Sequence, residues 1–141
     1  MNLASLSDRV EIQEQLARYC HALDLKDWPA FRAVFTPDAL LDYSAFGGPA
    51  GSVKDIEDFL TPILNGLHNS HHMVSTTQID LDGDEAKVRS AALVPMTSLT
   101  ANGTESTLVS GLWYEDHFAR TQDGWRIRSR KQTKGWTSSP I

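Results

Sequence analysis

Three glycine turns do most to limit the folds open to this chain. Asp82-Gly83-Asp84, Asn102-Gly103 and Asp123-Gly124 each separate long runs with strand character, the pattern of successive hairpins. They divide the second half into strand candidates at Met73 to Asp82, Glu85 to Thr100, Glu105 to Thr121 and Trp125 to Trp136. The first half reads as helix. Val10, Ile12, Leu16, Tyr19, Cys20 and Leu23 recur at roughly helical spacing behind Ser5 and Asp8, which read as a capping box. Asp27 can cap a short second helix with Pro29 in its first turn. Trp28, Phe31, Val34 and Phe35 form its apolar side, and Thr36-Pro37-Asp38 ends it. Ala39 to Tyr43 reads as a short strand. Ser52 and Asp55 then cap a third helix bearing Val53, Ile56, Phe59, Leu60 and Ile63, which Pro62 should kink or shorten. Helices followed by a meander of long antiparallel strands make an α+β arrangement. The expected shape is a cone. Its N-terminal helices pack in the concavity of a strongly curved, mostly antiparallel sheet, and its open mouth suits a small molecule.

A chain of 141 residues suits one domain, spanning 1–141, with no repeat or linker. The formal net charge of -5 argues against nucleic acid as a partner. Arg126, Arg128, Arg130, Lys131 and Lys134 cluster late in the chain. They read first as a solvated strand face, and second as a patch for an anionic substrate group. The single cysteine, Cys20, excludes an intrachain disulfide and reads as a small core residue. No secretory leader is visible and no apolar run approaches membrane-spanning length, so the expectation is a cytoplasmic protein with no membrane partner. Phe46-Gly47-Gly48-Pro49-Ala50-Gly51 lacks the spacing and the lysine of a phosphate loop.

Two separated words carry the chemistry: Tyr19-Cys20-His21-Ala22-Leu23-Asp24 and His68-Asn69-Ser70-His71-His72. A carboxylate that orients a histidine is a proton-transfer pair at neutral pH. Taken alone, Asp24 reads as a helix-end or turn aspartate. Tyr19, five residues earlier, shares a pocket with it only if Asp24 lies where the chain turns. On a strand, His71 and His72 would face opposite ways, so one must point inward. The three histidines lack a matching carboxylate for a metal site, and none is expected. Tyr43 could donate to a substrate oxygen or simply complete the core. Trp28, Trp113, Trp125 and Trp136 read as core or mouth packing. Glu115, Asp116 and His117 cannot be placed from the sequence.

Tyr19 to Asp24, Asp27-Trp28, Phe35-Thr36-Pro37-Asp38-Ala39 and Asp42-Tyr43-Ser44 resemble the opening of SnoaL-like proteins in the nuclear transport factor 2-like superfamily. His71-His72, Ile79 to Ala86 and Asp123-Gly124-Trp125-Arg126-Ile127 continue the resemblance over nearly the whole chain. That superfamily hosts cyclases, dehydratases, isomerases, dehydrochlorinases and non-catalytic binders. The enzymatic likeness is to scytalone dehydratase and bile-acid 7α-dehydratase. It implies catalytic roles for Asp24 and His72, the better match of the two histidines, with Tyr43 and Tyr19 as partners. Hexachlorocyclohexane dehydrochlorinase uses a matching aspartate–histidine pair. Val94-Pro95-Met96 departs from scytalone dehydratase, which has a histidine where Met96 stands. Lys134 falls loosely where the bile-acid enzyme has an arginine. Met96, Trp28, Trp113 and Lys134 are therefore the expected substrate contacts. The reading is a lyase or isomerase, dehydratase-like and free of cofactor, acting on a small apolar oxygenated molecule. The alternatives are a polyketide-type cyclase, or a non-catalytic module that binds a small molecule or a protein. The resemblance also implies a homo-oligomer, dimer or trimer.

Overall fold

The computed structural model describes residues 1–138. Helix α1 (Leu3–Leu25) is followed by α2 (Trp28–Ala33), strand β1 (Phe35–Asp42), a 3-10 turn (Ser44–Phe46), β2 (Ala50–Ser52) and α3 (Val53–Asn65). Strands β3 (Asn69–Ser70), β4 (Met73–Asp82), β5 (Glu85–Leu99), β6 (Glu105–Thr121) and β7 (Gly124–Thr137) complete the chain. All seven strands form one sheet in the order β2-β1-β7-β6-β5-β3, and β4 also pairs with β5. Only β1 and β7 run parallel; the other pairs are antiparallel. The three helices pack against the inner face of this curled sheet, the α+β cone.

Gly83, Gly103 and Gly124 all take positive φ, which is why glycine serves at these turns. Three strand pairings carry register shifts: between Phe35 and Leu40 in β1, between Ser75 and Gln78 in β4, and at two places in the β6–β7 pairing. An extra residue bends a strand and increases its twist, which curls the sheet over the helices. The core joins Ile12, Leu16 and Leu23 of α1 to Ile56 of α3 and to Val88, Phe118 and Trp125 of the sheet.

Several local expectations need correcting. Helix α1 is capped by Asn2, whose side chain accepts from the Ser5 amide, so Ser5 and Asp8 form no capping box. Asp8 instead accepts from Arg120 and the Trp125 indole, joining α1 to the β6–β7 hairpin. Val10 stays half-exposed, off the buried stripe. Strand β1 begins at Phe35 and takes in Thr36-Pro37-Asp38, the stretch expected only to end α2. Pro37 is tolerated there because it lies at the irregularity in the β1 ladder. Helix α3 has the expected Ser52–Asp55 box and runs through Pro62 to Asn65.

Candidate active site

The last turn of α1 carries Asp24, and the short link between β3 and β4 carries His72. They meet on the inner side of the sheet. His72 Nδ1 lies 2.7 Å from Asp24 Oδ1, with the imidazole 6% and the carboxylate 18% exposed. The His72 backbone N–H donates to Asp24 Oδ2 at 2.9 Å, and the Ser70 hydroxyl donates to Oδ1 at 3.0 Å. Burial works against ionisation of Asp24. The side-chain and backbone hydrogen bonds from His72 and the Ser70 hydroxyl outweigh burial and hold the carboxyl below its ordinary value. A carboxylate at Nδ1 fixes the tautomer with the proton on that nitrogen, which leaves the Nε2 lone pair free to take a proton.

His71 is exposed, and its amide is bonded to Pro95 O. The two histidines lie between strands, not on one, so strand alternation does not set their directions. His68 is exposed and 3.5 Å from Glu105.

Tyr19, on α1, presents its ring edge-on to the imidazole at a centroid distance of 6.4 Å. Its hydroxyl is hydrogen-bonded to that of Tyr43, and both residues are buried. Burial is the main influence raising both phenols above their ordinary values; the Arg130 charge opposes it. Both therefore keep their protons; one hydroxyl donates to the other, and the second is left to donate to an oxygen that gains negative charge. Burial also pushes the Cys20 thiol up to about 11, so it is no nucleophile near neutral pH.

Sequence reasoning missed the residues behind the tyrosines. Arg130 is fully buried, not on a solvated face. Its Nε and Nη2 each donate to Asp116 at 2.7 Å. Its guanidinium lies 4.3 Å from the Tyr19 ring centroid and 3.9 Å from that of Tyr114. Burial works against the charge of Arg130, but the Asp116 carboxylate outweighs it and holds the guanidinium charged. Alternation along β7 hides this residue. Trp125 and Ile127 face the core, and a register shift near Arg128 then puts Arg130, not Ser129, on the same face.

Of the expected substrate contacts, Met96 is half-buried and opposite Ser70, so it shares the inner face with the serine that bonds Asp24. Lys134 is exposed toward the mouth, its ammonium 5.9 Å from the Phe46 ring centroid. Trp28 is half-buried against Phe31. Trp113 is a correction: it alternates with the buried Leu112 and Tyr114 and lies on the outer face under Arg89. A surface cleft of about 460 Å³ between Arg18, His21 and Arg126 lies along the outer side of α1 and α2, away from the pair. Among the described residues no three His, Cys, Asp or Glu side chains converge as metal ligands, and no helix is long and apolar enough to cross a membrane.

Comparison with known proteins agrees with the architecture. The model of the SnoaL-like domain matches residues 4–131. The uncharacterized protein Rv2910c of Mycobacterium tuberculosis is 40% identical over 134 residues, 95% of this chain and 90% of that one. The crystal structure of Kfla4162 from Kribbella flavida superposes with a TM-score of 0.86 at 25% identity, covering 96% of this chain and 95% of that one. Two further structures share the fold. A candidate scytalone dehydratase from Novosphingobium aromaticivorans has a TM-score of 0.86 at 21% identity, with 98% and 91% of the two chains covered. A type 2 hexachlorocyclohexane dehydrochlorinase has a TM-score of 0.84 at 14% identity, with 100% and 93% covered. The chain belongs to the SnoaL-like family, whose fold is the α+β cone of the nuclear transport factor 2-like proteins.

Proposed function

We propose that this protein is a lyase or isomerase that moves a proton beside a carbonyl group, acting on a small, largely apolar, oxygenated molecule. The observation that carries the reading is the buried Asp24–His72 pair at 2.7 Å. In this mechanism His72 Nε2 removes a proton from the carbon next to the carbonyl. Asp24 holds the tautomer and stabilises the imidazolium that forms. The Tyr43 hydroxyl, with Tyr19 behind it, donates to the oxygen where negative charge develops. In a dehydration the resulting enolate breaks the C–O bond at the next carbon, and the leaving oxygen takes the proton held by the His72 imidazolium and departs as water. In an isomerisation the proton returns elsewhere. The mechanism calls for no metal or organic cofactor. The partner is a small molecule, not nucleic acid or membrane, and the chain works as a dimer or trimer in the cytoplasm.

The test is exchange of α-hydrogens into D2O, followed by NMR, across a panel of small cyclic ketones. The wild-type protein should accelerate exchange of at least one. His72→Ala should lose about 10²–10⁴-fold while staying folded, and Asp24→Asn somewhat less. A chelator should change nothing. Acceleration that survives His72→Ala, or that a chelator abolishes, ends the acid–base reading. Tight binding with no turnover gives the site to a binding module, and aldol closure of a polyketone gives it to a cyclase.

A further inference from the structure

The surface cleft of about 460 Å³ beside α1 and α2 lies apart from the Asp24–His72 pair, and its lining is chemically uneven. Glu14, Arg18, His21 and Leu25 stand at i, i+4, i+7 and i+11 of α1, so they form one stripe of the helix, and all four line the cleft. Arg126, the first member of the basic cluster late in the chain, lines it from β7. Five of the eight arginines are ion-paired. Arg18 and Arg126 have no carboxylate partner among the described residues. Arg126 spends only Nη1, on the Trp125 carbonyl.

Charges on a helix face are ordinary by themselves, since such side chains are mostly solvated. Gln15 is what makes this cleft unusual. It is 7% exposed, its side-chain amide has no hydrogen-bond partner among the described residues, and it lines the same cleft. A nearly buried amide without a partner calls for one. Leu25, 75% exposed, and Ala30 add an apolar side that gains from being covered.

The charges narrow the ligand. A carboxylate matches the planar fork of a guanidinium, and an amide N–H can donate to the same group. Glu14 and Asp27 also line the cleft and balance the two arginines, so a second negative charge on the ligand meets repulsion. At a rise of 1.5 Å per residue, Arg18 and His21 lie roughly 6 and 10 Å along the helix from Glu14, in the middle of the stripe. Asp27 follows its far end, with Oδ1 engaged in capping α2. A single carboxylate suits the middle, whereas a phosphate dianion or an extended diacid meets one of the acids. The volume is within the range of small-molecule sites.

We infer that this cleft is a second binding site, for a small organic monocarboxylate. Arg18 and Arg126 hold the carboxylate, Gln15 donates to it, and Leu25 and Ala30 cover the hydrocarbon part. The site does not depend on the reaction assigned to Asp24 and His72.

The probe is sodium benzoate, titrated into the full chain at low ionic strength, where exposed charges are least screened. NMR follows the Gln15 side-chain amide and the arginine Nε–H groups. Binding should saturate, with shifts centred on Gln15 and not on His72. Benzyl alcohol, of similar shape and without charge, should bind about tenfold more weakly, the worth of one charge-assisted hydrogen bond. Inorganic phosphate should also bind more weakly. Arg18→Gln and Arg126→Gln should each weaken benzoate about tenfold, and Gln15→Leu about threefold. Arg18 is exposed, so its variant carries the test if Gln15→Leu does not fold. His72→Ala should leave benzoate affinity unchanged. No saturable binding, equal affinity for benzyl alcohol or phosphate, shifts centred on His72, or an affinity untouched by Arg18→Gln overturns the site.

Discussion

Asp24 sits where a helix least favours a carboxylate, in the last turn of α1, near the negative end of the helix dipole. Three donors from Ser70 and His72 overcome this, and the consequence is a pH dependence. A carboxyl held below its ordinary value adds stability that is present above the unfolded pKa, about 3.9, and is lost as pH falls through the folded one. Asp24→Asn should therefore cost about 1–3 kcal/mol at pH 7. The cost should shrink below about pH 4, as urea unfolding at the two pH values can check. Asp116→Ala should cost more, about 3–5 kcal/mol, because it strands the buried charge of Arg130. Removing Glu115, exposed and 3.6 Å from Arg89, should cost under about 1 kcal/mol. Met96→Leu keeps the wall apolar at similar volume, so substrate preference should move more than the pH profile. The Asp24–His72 pairing was legible at this scale through the family resemblance of two short motifs; taken alone, Asp24 reads as a turn aspartate. Arg130 was not, because a sequence of alternating arginines does not show where a strand slips.

Register shifts decide which face each strand presents. Lys134 pairs with Leu112 and Trp136 with Gly111, so the step at Gly135 moves Trp136 to the outer face. There its indole packs where a side chain on Gly111 would stand. In β4 the shift falls at Thr76, a β-branched residue at φ 52, where such a side chain is strained. Thr76→Asn tolerates that conformation better and should raise stability by roughly 0.5–1 kcal/mol. The denaturation midpoint should rise with an unchanged slope. Helix starts can be tested in the same way. Asn2→Ala should cost about 1 kcal/mol as the true cap of α1, while Ser5→Ala should cost little. The hairpin turns and the Ser52 cap were readable because their signals are local. The start of β1 was not, since pairing with the distant β7 draws Phe35 into the ladder.

On the scale of the molecule, the inner face of the sheet is filled by helices while the outer face keeps apolar residues in water. Met73, Leu93 and Trp136 are 42%, 43% and 50% exposed, and they line one groove of about 400 Å³ with Trp113. A second copy of the chain is the proposed cover. Light scattering should give the mass of a dimer or trimer, and Leu93→Glu should shift it toward monomer without touching the inner face. A monomer at every concentration would overturn that assembly.

The sequence by itself determined the order of elements, the hairpins and the α+β class, while the acid–imidazole pair came from the family resemblance. The first three are written in neighbouring residues, as turn chemistry, periodicity and short motifs. Tertiary structure alone decided the rest: the inward turn of His72, the Ser70 bond to Asp24, the outward Trp113, and the Arg130–Asp116 pair beneath the tyrosines. The physical reason is that one extra residue in a strand reverses the facing of every residue beyond it. Where such a step falls is set by pairing with strands distant in sequence.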